Sequence, residues 1–134
     1  MIEYKKPLPL ITSVDKPFWE AAKRHELLAY RCLNCGAYYS VVIECVKCSA
    51  PHMEWVKVSG KGKVYTYTVY HQLYNPVWKE EIPYNAAWVQ MDEGPLILTN
   101  IAGIKNEDLR VGLPVEVIYD DVTEEVTLPK FKPV

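Results

Sequence analysis

The chain has 134 residues, 49% apolar and 24% charged, with a formal charge of −2. That fits one globular domain, or one domain plus a small metal-nucleated module, and gives no electrostatic reason to bind nucleic acid or an anionic membrane. No apolar run approaches the ~20 residues of a bilayer-spanning helix, and the start lacks the apolar core of a signal peptide.

The aromatic inventory is skewed: ten Tyr and four Trp stand against two Phe. Tyr and Trp carry a polar handle and suit half-wet surfaces and interfaces. Residues 1–12, with Pro7 and Pro9, read as an extended arm whose Pro7-Leu8-Pro9-Leu10-Ile11 stretch can lie on its own domain or on a partner. Asp15 and Pro17 then open a helix, as N-cap and first-turn residue. Phe18, Ala21, Ala22 and His25 share one face of it, with Trp19 to the side. Phe18 and Trp19 serve either core packing or contact with a second chain.

Leu27 to Arg31 reads as a short strand that delivers the chain to Cys32-Leu33-Asn34-Cys35-Gly36. A second pair follows as Cys45-Val46-Lys47-Cys48, and these are the chain's four cysteines. Two C-x2-C turns facing each other complete a tetrahedral four-thiolate shell suited to zinc. Gly36 stands where such a knuckle needs a positive φ. Two disulfides or four free thiols are the alternatives. The β-prone stretch Ala37 to Glu44 is expected to be the strand between the knuckles. With no open coordination position, a four-cysteine zinc is structural, and metal-type cysteines point to a reducing cytoplasm.

From Trp55 onward the pattern is of strands: 55–58, a turn at 59–62, and a long alternating strand from Lys63 to Tyr74. The alternation puts Val64, Thr66, Thr68 and Tyr70 on one face. A loop bounded by Pro76 and Pro83 follows, then strands at 84–90 and 96–102, a helical turn at 106–110, and strands at 114–119 and 122–129. The expected fold is mainly β with a small α component: arm and helix over 1–29, a rubredoxin-like zinc ribbon over 30–52, and a five-stranded OB-type barrel over 53–134.

OB barrels bind extended ligands across one face and its flanking loops. Tyr74, Trp78, Lys79 and Tyr84 are the candidates here. Lys79 beside Glu80 and Glu81 argues against non-specific single-strand binding, which wants basic residues among the aromatics. Ordinary barrel packing is the other reading of these aromatics. His25, His52 and His71 are isolated in sequence, and there is no G-x-S-x-G and no phosphate-cradling glycine loop. With every thiol in the metal site, the residues supply no catalytic constellation.

The ordered series Pro17-Phe18-Trp19-Glu20-Ala21-Ala22, Arg31 to Gly36, Cys45 to Cys48, Trp55, Gly60-Lys61-Gly62, Val64 to Thr68, Pro83-Tyr84, Val111 to Val115 and Leu128 to Phe131 resembles the zinc-ribbon/OB-fold acyl-CoA-associated proteins. The resemblance covers residues ~14–131. It implies a non-catalytic subunit with a structural zinc, whose barrel helps admit coenzyme A or acyl-CoA to a thiolase-superfamily partner, in a 2:2 assembly. One family role is the accessory subunit of an aromatic-pathway thiolase of the benzoylsuccinyl-CoA type. Alternatives are the subunit of a thiolase-like acyl-CoA aldolase, or a nucleic-acid-binding or scaffold OB module. Family members often carry prolines between the knuckles, where this chain has Tyr39-Ser40-Val41-Val42-Ile43.

Overall fold

The structure is a computed structural model that describes residues 4–134. Helix α1 (Lys16–Lys23) begins with Asp15 at the N-cap position and Pro17 in its first turn. The Asp15 carboxylate does not cap the helix; it accepts from the Thr12 backbone N–H (2.7 Å) and hydroxyl (3.0 Å), closing the turn before it. Ala21 and Ala22 are fully buried where α1 packs on β1 (Leu28–Cys32) and β8 (Thr127–Pro133). Their small side chains let the helix approach the strands closely. His25, expected on the same stripe, lies past the helix end with a φ of +61°. Its ring swings out, stacks on Tyr119 at 4.8 Å and meets both Asp121 carboxylate oxygens at 3.1 Å.

Two sheets follow. In the first, β1 lies between β2 (Tyr38–Tyr39) and β3 (Met53–Lys57), in the order β2-β1-β3. The β1–β3 register runs from Leu28↔Lys57 to Cys32↔Met53, so the strand that begins near Trp55 belongs by hydrogen bonding to the cysteine-bearing sheet. The predicted strand over 37–44 shrinks to Tyr38–Tyr39. Just beyond it, the Ser40 hydroxyl donates to the Leu96 carbonyl and draws the chain away from β1, leaving Val41, Val42 and Ile43 exposed.

The second sheet has the order β6-β5-β4-β7-β8, built from β4 (Lys61–Tyr70), β5 (Tyr84–Met91), β6 (Leu96–Thr99), β7 (Pro114–Asp121) and β8. All its pairings are antiparallel. A parallel bridge between Ile101 and Phe131 closes the ring, with Ala102 N–H donating to Phe131 O (2.7 Å) and Phe131 N–H to Asn100 O (3.1 Å). This is the five-stranded barrel of the OB type anticipated from the strand count. Phe131, fully buried, sits in a core with Val64, Val89, Met91 and Val115, to which Leu27 and Ala29 also contribute. The ribbon and the barrel therefore share one core.

Two strand predictions change in detail. The long strand ends at Tyr70, and its register shifts between Val64 and Thr66. Tyr65 is the extra residue of a bulge, which reverses the alternation beyond it. Val64 is buried, but Thr66 and Thr68 are exposed, and Tyr67 turns to donate its hydroxyl to Leu109 O at 2.9 Å. The last strand begins at Thr127, because the Thr123 hydroxyl accepts from the N–H groups of Glu125 (3.2 Å) and Val126 (2.9 Å), holding 122–126 as the turn.

Gly62 lies where β4 crosses β5. A Cβ there would run into the Gln90 carbonyl and the Val89 side chain, both fixed in the sheet. Gly62→Ala is expected to destabilise the protein by about 1–3 kcal/mol through overpacking, seen as a lower midpoint in thermal or urea unfolding.

Candidate functional site

The cysteine knuckles are near-copies of each other. In the first, Gly36 N–H donates to Cys32 O (2.9 Å) with φ +79° at Gly36. In the second, Ser49 N–H donates to Cys45 O (2.9 Å) with φ +60° at Ser49. Serine carries a Cβ there, so the second turn is held in a conformation that costs it more than it costs glycine. The four Sγ atoms lie within 4.8 Å of one another, with Cys32–Cys48 at 3.6 Å and Cys35–Cys45 at 3.4 Å. A disulfide needs about 2.05 Å, whereas the edges of a tetrahedron with Zn–S bonds of ~2.3 Å are about 3.8 Å. The donor set and spacing fit a structural zinc, and Cys32, Cys35, Cys45 and Cys48 would be its ligands.

Local donors set up the sulfurs. The Tyr39 hydroxyl at 3.4 Å, followed by backbone donors, lowers the Cys45 thiol to about 6. The Asn34 amide, also at 3.4 Å, lowers Cys48. At Cys35 the Ala37 N–H acts downward, but the Cys45 sulfur, burial and the Cys48 and Cys32 sulfurs together push it up to about 11. Four crowded sulfurs share protons until a cation neutralises them, so binding a metal releases protons.

A second feature is a cleft of about 470 Å³ between the 76–84 segment and the 100–107 loop at one end of the barrel. Trp78 and Tyr84 stack at 5.3 Å and line it, and Tyr70 extends the stack at 5.1 Å from Tyr84. The segment is shaped by Asn75, whose side chain accepts from Val77 N–H (3.1 Å) at the start of a 3-10 turn over Pro76–Trp78. Lys6, from the N-terminal arm, lies 5.2 Å above the Trp78 ring and pairs with Glu81 at 2.8 Å. Burial works against its ammonium, yet Glu81, Tyr4 and Asp120 outweigh it and raise the pKa. Lys130, also on the cleft, pairs with Asp120 at 2.8 Å.

Beneath this rim, Asn85 is 6% exposed and clips the loop to β5. Its Nδ2 donates to Ile101 O (2.9 Å) and to Asn106 Oδ1 (3.2 Å), and its Oδ1 accepts from Ile101 N–H (2.7 Å). Asn106 in turn donates to Pro83 O at 3.1 Å.

Of the four aromatic and basic candidates, the structure brings Trp78 and Tyr84 together on the cleft. Tyr74 is 73% exposed and Lys79 is exposed, and neither lines it. Sequence reasoning did not find Lys6, Asn85, Asn106 or Lys130, which come from four separate segments. A weak signal existed for the asparagines: Asn85 interrupts an otherwise strand-forming run.

Comparison with known proteins agrees with this architecture. Residues 19–54 match the family model "ChsH2, rubredoxin-like zinc ribbon domain", and residues 55–120 match "ChsH2, C-terminal OB-fold domain". The chain is 37% identical over 125 residues to a DUF35 domain-containing scaffold protein of Methanocaldococcus jannaschii, covering 87% of this chain and 88% of that protein. It is 35% identical over 130 residues to a probable enoyl-CoA hydratase alpha subunit of Thermomonospora curvata, but spans 40% of that relative's length. Among solved structures it resembles a chain of the Ltp2-ChsH2(DUF35) aldolase, with a TM-score of 0.83 and 32% identity over 94% of this chain and 98% of that one.

Fold and metal centre together define a zinc-ribbon/OB-fold protein. The chain belongs to the DUF35 family, whose relative in M. jannaschii is named a scaffold protein.

Replacing Cys35 by Ser should lower bound zinc from about one per chain to near zero and unfold the ribbon, because metal binding and folding are coupled in such modules. Elemental analysis and far-UV circular dichroism read the two effects, and a strong chelator added to the parent protein should reproduce them.

Proposed function

We propose that this chain is a non-catalytic accessory subunit that binds acyl-CoA and completes the active site of a thiolase-superfamily enzyme. The observation that carries the reading is the placement of the cysteines. Every thiol of the chain lies in one closed metal site, so the nucleophilic sulfur that thiolase chemistry requires comes from another subunit. The cleft supports the ligand half of the reading. A flat base can lie on the Trp78–Tyr84 stack, and phosphates can take over Lys6 and Lys130 from Glu81 and Asp120. A ligand of this kind threads between subunits, with its nucleotide end on this chain and its thioester end at the partner's reacting groups.

The partner is proposed to associate as a 2:2 heteromer in the cytoplasm, where thiolate ligands stay reduced. Among the described residues no helix is long and apolar enough to cross a membrane. A second reading, a thiolase-like aldolase as partner, is favoured by the likeness to a chain of the Ltp2-ChsH2(DUF35) aldolase over nearly its whole length.

Co-purification from the native host, followed by mass spectrometry, should recover a thiolase-like protein. Thiolytic activity should require both chains, and full activity from the partner alone would overturn the proposal. Cleavage by retro-aldol reaction in place of thiolysis would select the second reading. Calorimetric titration of the complex with coenzyme A should show Trp78→Ala weakening binding by about 1–3 kcal/mol, the range for loss of one base–aromatic stack.

A further inference from the structure

The ribbon's second knuckle lacks the support that the first one has. The first follows directly on β1, and its Leu33 N–H donates to His52 O at 2.8 Å, beside the start of β3. The second follows residues 40–44, which belong to no strand. Yet the two sulfurs of each knuckle must meet the other pair to within a few tenths of an ångström for a tetrahedral metal. Something other than a β-ladder has to place Cys45.

Tyr39 is the residue in position to do so. It is the last residue of β2 and pairs with Tyr30 of β1, the strand that delivers Cys32. Its hydroxyl oxygen accepts from Val46 N–H at 3.1 Å, inside the second knuckle, and lies 3.4 Å from Cys45 Sγ, within reach to donate to a thiolate there. One phenol thus grips the knuckle twice, by a backbone amide and by a metal-facing sulfur, from a base fixed in the sheet. A sulfur of the first knuckle takes a backbone donor, Cys35 N–H to Cys32 Sγ at 3.5 Å. At Cys45 the tyrosine supplies a side-chain donor.

We infer that Tyr39 is the outer-shell positioning residue of the metal centre: it orients the Cys45 thiolate and withdraws charge from it by donating a hydrogen bond. Outer-shell partners of this kind fix ligand geometry and tune the electron density that the ligand gives the metal. Tyr38, its sequence neighbour, is the internal control, since its ring instead lies 5.5 Å from the Arg31 guanidinium.

The test uses the full chain as zinc and cobalt(II) forms of the parent, Tyr39→Phe and Tyr38→Phe. Tyr39→Phe removes one oxygen and keeps the ring. Its zinc should be lost to a competing chelator about 10- to 100-fold more readily. At saturating cobalt its thiolate-to-metal charge-transfer bands should move to lower energy, because an undonated thiolate is more electron-rich; Tyr38→Phe should match the parent in both respects. A weakened affinity with unmoved bands would reduce Tyr39 to ordinary packing and overturn the inference. So would parent-like affinity and bands, or a Tyr39→Phe chain that stays unfolded at saturating metal, since the loss of a single donor leaves binding within reach.

Discussion

Convergence of four sulfurs is the constraint on which the N-terminal half depends. Between Cys32 and Met53 the chain has one two-residue strand, and several of its apolar side chains, Leu33, Val41 and Val46 among them, face solvent. Such a stretch buries too little to hold a shape by hydrophobic contact. A dication bound to four thiolates supplies the missing free energy locally. It sits at the end of the β1–β3 ladder, whose register closes at the pair Cys32↔Met53. Because Leu27 and Ala29 enter the barrel's core, order in the ribbon and order in the barrel support each other. The ribbon is less an appendage than the plug at one side of the barrel.

In the barrel the decisive event is closure. An open five-stranded sheet would leave β6 and β8 as exposed edges, and unpaired edges invite association. Here the chain just beyond β6 bridges to Phe131, and the largest fully buried side chain sits at the seam. The bulge at Tyr65 serves a different purpose. By shifting the register it sends the β4 threonines outward beside Trp88 and Ala86, so the outer surface there is neutral and partly aromatic and runs towards the Tyr70–Tyr84–Trp78 stack.

Much of this was legible in the residues. Cysteine spacing alone located the metal centre, since few chemistries demand that pattern. Asp15 and Pro17 marked the start of the helix, and β-prone runs separated by turn residues marked the barrel. What escaped had physical causes. The 37–44 stretch has the composition of a strand, but Ser40 finds a better partner across the molecule in Leu96. His25 fits a helical stripe by spacing, yet the helix stops before it and a carboxylate 96 positions away claims its ring. A bulge has no periodic signature, so the faces of β4 could not be assigned beyond Val64. The cleft was half visible: Trp78 and Tyr84 stand out as aromatics in a proline-bounded loop, but the lysines and amides around them come from distant segments.

Asn85 has a consequence of its own. Its carboxamide meets both the N–H and the C=O of Ile101, which is what a neighbouring strand's peptide group would have done. Aspartate offers no donor for the carbonyl, and glutamine carries the amide one methylene too far, so the common substitutions do not reproduce the clasp. The base of the 100–107 loop is thereby held, with Asn100, Ile101 and Ala102 carrying the seam to Phe131 and Asn106 tied back to Asn85 and Pro83, which leaves the exposed Gly103, Lys105 and Glu107 to shape the cleft. Cleft shape can then vary from one protein to another through those residues while the seam at Phe131 stays as it is. The fold separates what must stay constant for folding from what is free to change for a new ligand, and one amide marks the division.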